Sequence, residues 1–272
     1  MKPRTVFLRG GGLGDFILSL PLLKIAFLQN YPVTFYARSS YLKLLNKNWE
    51  WLETKDLDEL SGKAPPDIEN ARVISFWMDA QWTDEILGAG AISACSLNPR
   101  PSEGEHFVIQ SCKRLGWEMP RGFSKDPILG DSWAGREQTL WIHPGSGGPD
   151  KNLPLEHFVT SANKWLGLSG DKKVIFSFGE ADGQVLGKFR SLKISQDSRV
   201  GCARPSSILE LRDQIREHAD KFIGNDSGPG HLAASLGIPV DIGFCKTAVS
   251  VWKPIGPRVN TYFWSSDSSK IL

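Results

Sequence analysis

Residues 224–231 read Gly-Asn-Asp-Ser-Gly-Pro-Gly-His, with the apolar lead Lys221-Phe222-Ile223 before them and the small-residue run Leu232-Ala233-Ala234-Ser235-Leu236 after. The pattern predicts a strand, a tight polar turn and a helix. Pro229 falls in the first helical turn, where its missing N–H had no partner to lose. The backbone N–H groups of Ser227, Gly228 and Gly230 then leave the helix end along the positive pole of its dipole. Such a terminus suits an anion, and phosphate above all. His231, one turn further in, is a second candidate for contact with that anion. The plain alternative is a turn in an α/β domain with Asp226 as the helix cap.

A second loop carries similar chemistry. His143-Pro144-Gly145-Ser146-Gly147-Gly148-Pro149 leads to Asp150-Lys151-Asn152-Leu153-Pro154. A lysine beside a glycine loop and a helix start acts as a compact positive charge on phosphate. Lys151 and Ser146, taken with residues 226–231, point to a diphosphate. Near them Gly179-Glu180-Ala181-Asp182 follows an apolar run, and a carboxylate there commonly takes ribose hydroxyls. Glu180 and Asp182 both qualify.

The N-terminal part carries a different kind of group. Gly10-Gly11-Gly12-Leu13-Gly14-Asp15 fails the dinucleotide pattern G-x-G-x-x-G, since position 15 is Asp, and lacks the G-K-[ST] ending of a P-loop. A glycine loop that delivers a carboxylate to a helix start lets a substrate approach the backbone, Gly12 included, beside a base. Asp15 also fits as a first-turn residue favoured by the helix dipole. Trp77 and Trp82, two of ten tryptophans, flank Met78-Asp79-Ala80-Gln81. Aromatic faces beside polar residues suit a sugar, although tryptophan is more commonly packed in a core. No metal site is expected. Asp56-Leu57-Asp58 matches a D-x-D pattern but sits in a charged stretch, 54–60, that reads as helix, and the five histidines show no paired spacing.

These groups need elements to hold them. Residues 5–9, 33–37, 73–77, 139–142, 174–178, 221–223 and 240–244 read as strands. Residues 16–29, 41–47, 104–115, 155–166, 183–192 and 206–219 read as helices from their apolar spacing. Alternating strands and helices imply parallel sheets covered on both faces. Residues 120–137, rich in Gly, Pro, Asp and Ser, read as a linker. The expected organisation is two Rossmann-like α/β domains, 1–135 and 136–272, facing a cleft, with every glycine loop at the carboxyl end of a strand. Ligands bind there in open parallel sheets.

Composition narrows the classes. With 32 basic and 30 acidic residues and no basic run, nucleic acid is not an expected partner. No apolar stretch is long enough to span a membrane. Met1-Lys2 runs straight into a strand without a secretory pattern. Cys95, Cys112, Cys202 and Cys245 are scattered and form no disulfide framework. A cytoplasmic protein is expected, at most peripheral at the inner face of a membrane.

Taken together, these segments resemble glycosyltransferase family 9, the ADP-heptose:lipopolysaccharide heptosyltransferases. The resemblance rests on Gly12-Leu13-Gly14-Asp15 with Pro21, on His143–Ser146 with Lys151 and Pro154, on the turn at Gly179, and on Asp226-Ser227-Gly228 with His231, Ala233 and Ala234. Trp252, Pro254, Gly256 and Pro257 add a late match. The resemblance implies a GT-B fold and an inverting, metal-independent transfer from a nucleotide-diphosphate sugar, without a cofactor. It implies Asp15 as the general base. Lys151 and the turn from Ser227 to His231 would hold the leaving diphosphate, and Asp226 would meet a sugar or ribose hydroxyl. The implied donor is ADP-heptose and the implied acceptor a glycan or lipid-linked glycan such as lipopolysaccharide core. Two other functions fit the same residues: a nucleotide-sugar epimerase on a similar fold, and a non-catalytic nucleotide-sugar binder.

Overall fold

The computed structural model describes residues 2–119, 122–125, 127–130, 135 and 138–265. They form two compact units, Met1–Phe123 and Ser124–Leu272. The division falls earlier than the expected boundary near residue 135. The reason is local: Leu129 is buried, its N–H donates to the Ser235 carbonyl, and the Gly256 N–H donates to the Ser124 carbonyl. These bonds tie the start of the expected linker to the second unit. Much of that linker (120–121, 126, 131–134 and 136–137) lies outside the described residues.

The first unit alternates β1 (Thr5–Leu8), α1 (Leu13–Leu28), β2 (Val33–Ala37), α2 (Ser39–Leu42), β3 (Glu53–Asp56), β4 (Arg72–Ser75), α3 (Ala80–Gly88), β5 (Ser93–Ser96) and α4 (Phe107–Leu115). Its five strands are all parallel, in the order β3-β2-β1-β4-β5. The strands β1 and β2 are buried at every position, as a sheet covered on both faces requires. Helix α1 packs on β2 and α4, and Phe16 stacks on Phe35 with ring centroids 5.7 Å apart.

The second unit follows the same plan: β6 (Thr139–His143), α5 (Leu155–Leu166), β7 (Lys173–Ser177), α6 (Gly183–Arg190), β8 (Val200–Ala203), α7 (Ile208–His218), β9 (Lys221–Asn225), α8 (Gly228–Ser235), β10 (Val240–Phe244), α9 (Val249–Trp252) and β11 (Val259–Phe263). The sheet order is β11-β10-β9-β6-β7-β8, again all parallel. Numbered from its own first strand, this is the doubly wound order 3-2-1-4-5-6. In each sheet the strand order reverses beside the first strand, between β1 and β4 and between β6 and β9. Ligands bind outside the carboxyl ends at such switch points.

Three sequence expectations are corrected. Residues 54–60 are not helical: Glu53–Asp56 is an edge strand and only Asp58–Leu60 forms a single turn. The expected helix over 41–47 is the short α2. Helix α3, which begins right after Asp79 and contains Trp82, was not anticipated. Among the described residues no helix is long and apolar enough to cross a membrane.

Candidate functional site

The switch point of the second sheet gathers most of the predicted residues. Strand β9 ends at Asn225, which is fully buried, and its amide clamps the neighbouring loop. Asn225 Nδ2 donates to the Pro144 carbonyl at 2.8 Å, and Oδ1 accepts from the Leu153 N–H at 2.9 Å. The loop from Pro144 to Leu153, with Ser146 and Lys151 on it, is thereby held against the end of β9. Sequence reading passed over Asn225. A polar residue closing an apolar strand is the signal that marks it.

Asp226 follows directly and is 8% exposed. Its Oδ2 accepts from Thr247 Oγ1 at 2.5 Å and lies 3.6 Å from Lys151 Nζ. Its Oδ1 lies 3.6 Å from His231 Nε2. Burial alone would raise its pKa. The hydrogen bond and charge of His231, the Thr247 hydroxyl and the Lys151 charge outweigh burial and hold the carboxyl below the usual range. Asp226 is therefore an anion in a cationic corner and not a helix cap. The cap position of α8 is Ser227, and its side chain makes no capping bond. Among the described residues Ser227 Oγ and His231 Nδ1 are buried without a hydrogen-bond partner. Buried polar atoms are nearly always paired, so two orphans at one helix start set this end of α8 apart. Gly228 and Pro229 open the helix beside them.

The structure separates Glu180 from Asp182. Asp182 is 4% exposed; its Oδ2 accepts from the Gly179 N–H at 2.7 Å and lies 3.5 Å from His143 Nε2. A Cβ at Gly145 would fall 1.9 Å from Asp182 Oδ1, so only glycine lets the loop pass. His143 Nδ1 lies 3.0 Å from Ser177 Oγ, which also accepts from Trp141 Nε1 at 2.8 Å. Burial lowers the His143 pKa against the opposing pull of Asp182 and the contact to Ser177. Asp182 thus braces the loops from beneath, whereas Glu180 is exposed. Ser146 turns its hydroxyl to the Gly148 carbonyl at 2.6 Å. A pocket of about 280 Å³ opens here, lined by His143, Ser146, Glu180, Ser206, Ser207 and Pro229 among others. A larger hollow of about 740 Å³ lies elsewhere in this unit, beside Trp165, Tyr262 and Trp264, and holds none of the predicted site residues.

In the first unit the switch point carries Asp15. Its Oδ2 accepts from the Gly12 N–H at 2.8 Å, and its Oδ1 accepts from Arg9 Nη2 at 2.8 Å. Gly11 adopts φ +99° and a Cβ there would lie 2.5 Å from Asp15 Oδ2, so the loop needs glycine on both counts. Trp77 follows β4 and borders the same loop: a side chain at Gly10 would meet its ring at 3.3 Å. Trp77 and Trp82 lie 5.9 Å apart, centroid to centroid, and Trp77 is 37% exposed. Gly12, Asp15 and Trp77 share one edge; Trp82 backs Trp77. Arg9, expected from sequence only as the last residue of a strand, directly follows β1. Among the described residues no group of three or more His, Cys, Asp or Glu side chains is placed to hold a metal ion.

The chain belongs to glycosyltransferase family 9. The model of that family, described as glycosyltransferase family 9 (heptosyltransferase), matches residues 125–270, more than half of the chain. It is a glycosyltransferase. No curated protein sequence matches it. Its fold is similar to that of E. coli heptosyltransferase WaaC with ADP, at 13% identity over 98% of this chain and 96% of that one, with a TM-score of 0.69. E. coli ADP-heptose lps heptosyltransferase II is similar at 13% identity, covering 97% of this chain and 91% of that one, with a TM-score of 0.68. The iron-containing dodecameric glycosyltransferase TibC from enterotoxigenic E. coli matches at 14% identity over 97% of this chain and 63% of that one, TM-score 0.59. With the two parallel sheets, these likenesses define an α/β fold of the GT-B type.

Proposed function

We propose that the protein transfers a sugar, a heptose from ADP-heptose, to a hydroxyl of a glycan acceptor such as lipopolysaccharide core, with inversion and without a metal. The observation that carries the reading is the start of α8. Two orphaned buried polar atoms, Ser227 Oγ and His231 Nδ1, stand there with Lys151 beside Asp226. In this reading Lys151 and the N–H groups from Ser227 to His231 hold the diphosphate. Ser146 borders it, Asp226 meets a sugar hydroxyl, and Glu180 meets the ribose in the pocket of about 280 Å³. Asp182 is withdrawn from the ribose role, because its carboxylate is engaged beneath the loop. ADP in the WaaC structure supports the choice of nucleotide.

The chemistry follows from where charge develops. As the bond from the sugar to the diphosphate breaks, the electron pair leaves with the diphosphate and the sugar becomes oxocarbenium-like. Preorganised N–H donors and a lysine stabilise the growing negative charge where it appears. On the opposite face of the sugar the acceptor oxygen forms the new bond and its proton passes to Asp15. A positioned base contributes roughly 10²–10⁴-fold. Trp77 and Trp82 offer aromatic faces to the acceptor beside Gly12. A lipid-linked acceptor would set this reaction in the cytoplasm, with at most peripheral contact at the inner face of the membrane.

The test is a thermal-shift screen over ADP-, GDP- and UDP-sugars. A ligand at 100 times its dissociation constant stabilises by about 2.7 kcal/mol. ADP-heptose is expected to raise the melting temperature most. Transfer to a lipopolysaccharide-core oligosaccharide is expected to persist in EDTA and to give an inverted anomeric centre by NMR. A retained configuration, or turnover of donor to another sugar nucleotide without acceptor, overturns the proposal.

A further inference from the structure

The base proposed above is held by a group outside the family motif as read from sequence. Arg9 directly follows β1 and is 3% exposed. Its Nη2 donates to Asp15 Oδ1 at 2.8 Å, and its Nε donates to the Asp15 backbone carbonyl at 3.3 Å. Its guanidinium carbon lies 4.2 Å from the centroid of the Phe76 ring and 5.3 Å from that of Phe107, two rings that stack at 5.9 Å. The aromatic faces favour the cation and fill the space it would need to turn. Burial lowers its pKa to about 10, with Asp15 sustaining the charge and Arg100 opposing it, so Arg9 stays protonated near neutrality.

We propose that Arg9 is the positioning residue for Asp15: its two-pronged grip turns Oδ1 inward and leaves Oδ2 as the atom that takes the acceptor proton. The inference rests on the reading of Asp15 as the base. Oδ1 is occupied by a buried cation that forms no ion pair with another carboxylate among the described residues. Oδ2 accepts from the Gly12 N–H, and the Asp15 side chain is 26% exposed, so this oxygen has room for an incoming hydroxyl. The grip needs a planar fork, because one prong holds the carboxylate and the other the backbone of the same residue. A lysine carries the charge as a point and cannot span both.

The experiment measures transfer from ADP-heptose to a lipopolysaccharide-core oligosaccharide for Arg9→Lys, Asp15→Asn and the double variant, with ADP affinity and a thermal melt for each. Misplacing a catalytic group by about 1 Å costs on the order of 10²-fold, and Arg9→Lys is expected to lose kcat on that scale with KM for ADP-heptose and ADP affinity unchanged. On the Asp15→Asn background the same substitution is expected to change nothing further. Wild-type kcat in Arg9→Lys, or an equal loss on both backgrounds, overturns the positioning role while leaving Asp15 as base. Wild-type turnover in Asp15→Asn instead overturns the base itself. Where Arg9→Lys does not fold, Phe76→Leu removes one aromatic wall and keeps Arg9. It is then expected to lower kcat with KM unchanged, and wild-type kcat there overturns the role equally.

Discussion

Each sheet presents a carboxylate at its switch point, Asp15 after the first strand of one and Asp226 after the fourth strand of the other, yet the two acids are held in opposite ways. Asp15 in the first unit is partly exposed, and one of its oxygens is fixed by a single buried cation at 2.8 Å. Asp226 in the second unit is buried among three partners: Thr247 at 2.5 Å, and Lys151 and His231 both at 3.6 Å. Two orphaned polar atoms stand beside it. The first arrangement aims one group and leaves it reachable. The second surrounds a buried acid with cations and leaves two buried polar atoms beside it unpaired. A strand, a glycine loop and a helix occur in both, so the motif does not decide the chemistry; the residues beneath the loop do.

Removing each acid or its cation in turn is expected to have the largest effects. Asp15→Asn keeps an acceptor for Arg9 and is expected to lose transfer by at least ~100-fold, the scale of a positioned base, with nucleotide binding intact. Asp15→Ala is expected to lose as much and to melt earlier as well, since the Arg9 charge is left buried without its partner. Unchanged turnover in either variant, assayed as ADP release, removes Asp15 from the mechanism. On the other side, Lys151→Ala is expected to weaken ADP binding roughly tenfold or more, since a hydrogen bond to a charged group is worth about 1.5–3 kcal/mol. Adenosine binding should hardly change. Equal losses for nucleotide and nucleoside in calorimetry would mean that Lys151 does not touch phosphate.

What could be read from sequence follows the same physics. All seven strands read in advance are interior strands of their sheets. The four unread ones, β3, β5, β8 and β11, are the four sheet edges. Interior parallel strands are buried on both faces and read as apolar runs such as Val33-Thr34-Phe35-Tyr36-Ala37. An edge strand such as Glu53-Thr54-Lys55-Asp56 is half exposed and carries no such run. Its pairing with β2 is a tertiary fact. The site divides likewise. Asp15, Lys151, Asp226 and His231 lie in local glycine-containing motifs, and the sequence alone offers them as candidates. Arg9, Asn225 and Thr247 act across 6 to 80 or so positions of sequence on partners that only the fold brings near. The different surroundings of Glu180 and Asp182 depend on the close passage of Gly145, which spacing cannot express.

That passage gives a structural counterpart to the kinetic tests. Gly145→Ala puts a methyl group where the Asp182 carboxylate now sits. Asp182 must move, and with it its bond to the Gly179 N–H and its contact to His143. Overpacking of this kind typically costs about 1–3 kcal/mol, and ADP-heptose affinity is expected to fall along with the melting temperature. Gly147→Ala, two residues away in the same loop, meets nothing within 4 Å. It is expected to stay within about 0.5 kcal/mol of wild type. If both variants melt alike, the brace under the loop is not what holds it.

The smallest expected effect is a pH dependence that separates His143 from Asp226. An unfolded chain protonates His143 near pH ~6.5. In the folded protein burial holds its pKa below that, against the pull of Asp182. Above ~6.5 both states are neutral there and pH has no effect through this group. As the pH falls further, the unfolded chain takes up a proton that the folded one refuses, and stability declines until the folded value is reached. His157, lowered by burial and by Lys164, adds to the same decline. Asp226 acts only in stronger acid: its contribution is present above the ordinary carboxylate range and is lost as the pH falls through its own lowered value. Melting temperatures from pH 8 to pH 5 are therefore expected to fall below ~6.5 in the wild type and to fall less steeply in His143→Gln, which keeps a polar partner for Ser177. The same slope in both would assign the decline to His157 and leave the brace beneath Gly145 indifferent to pH.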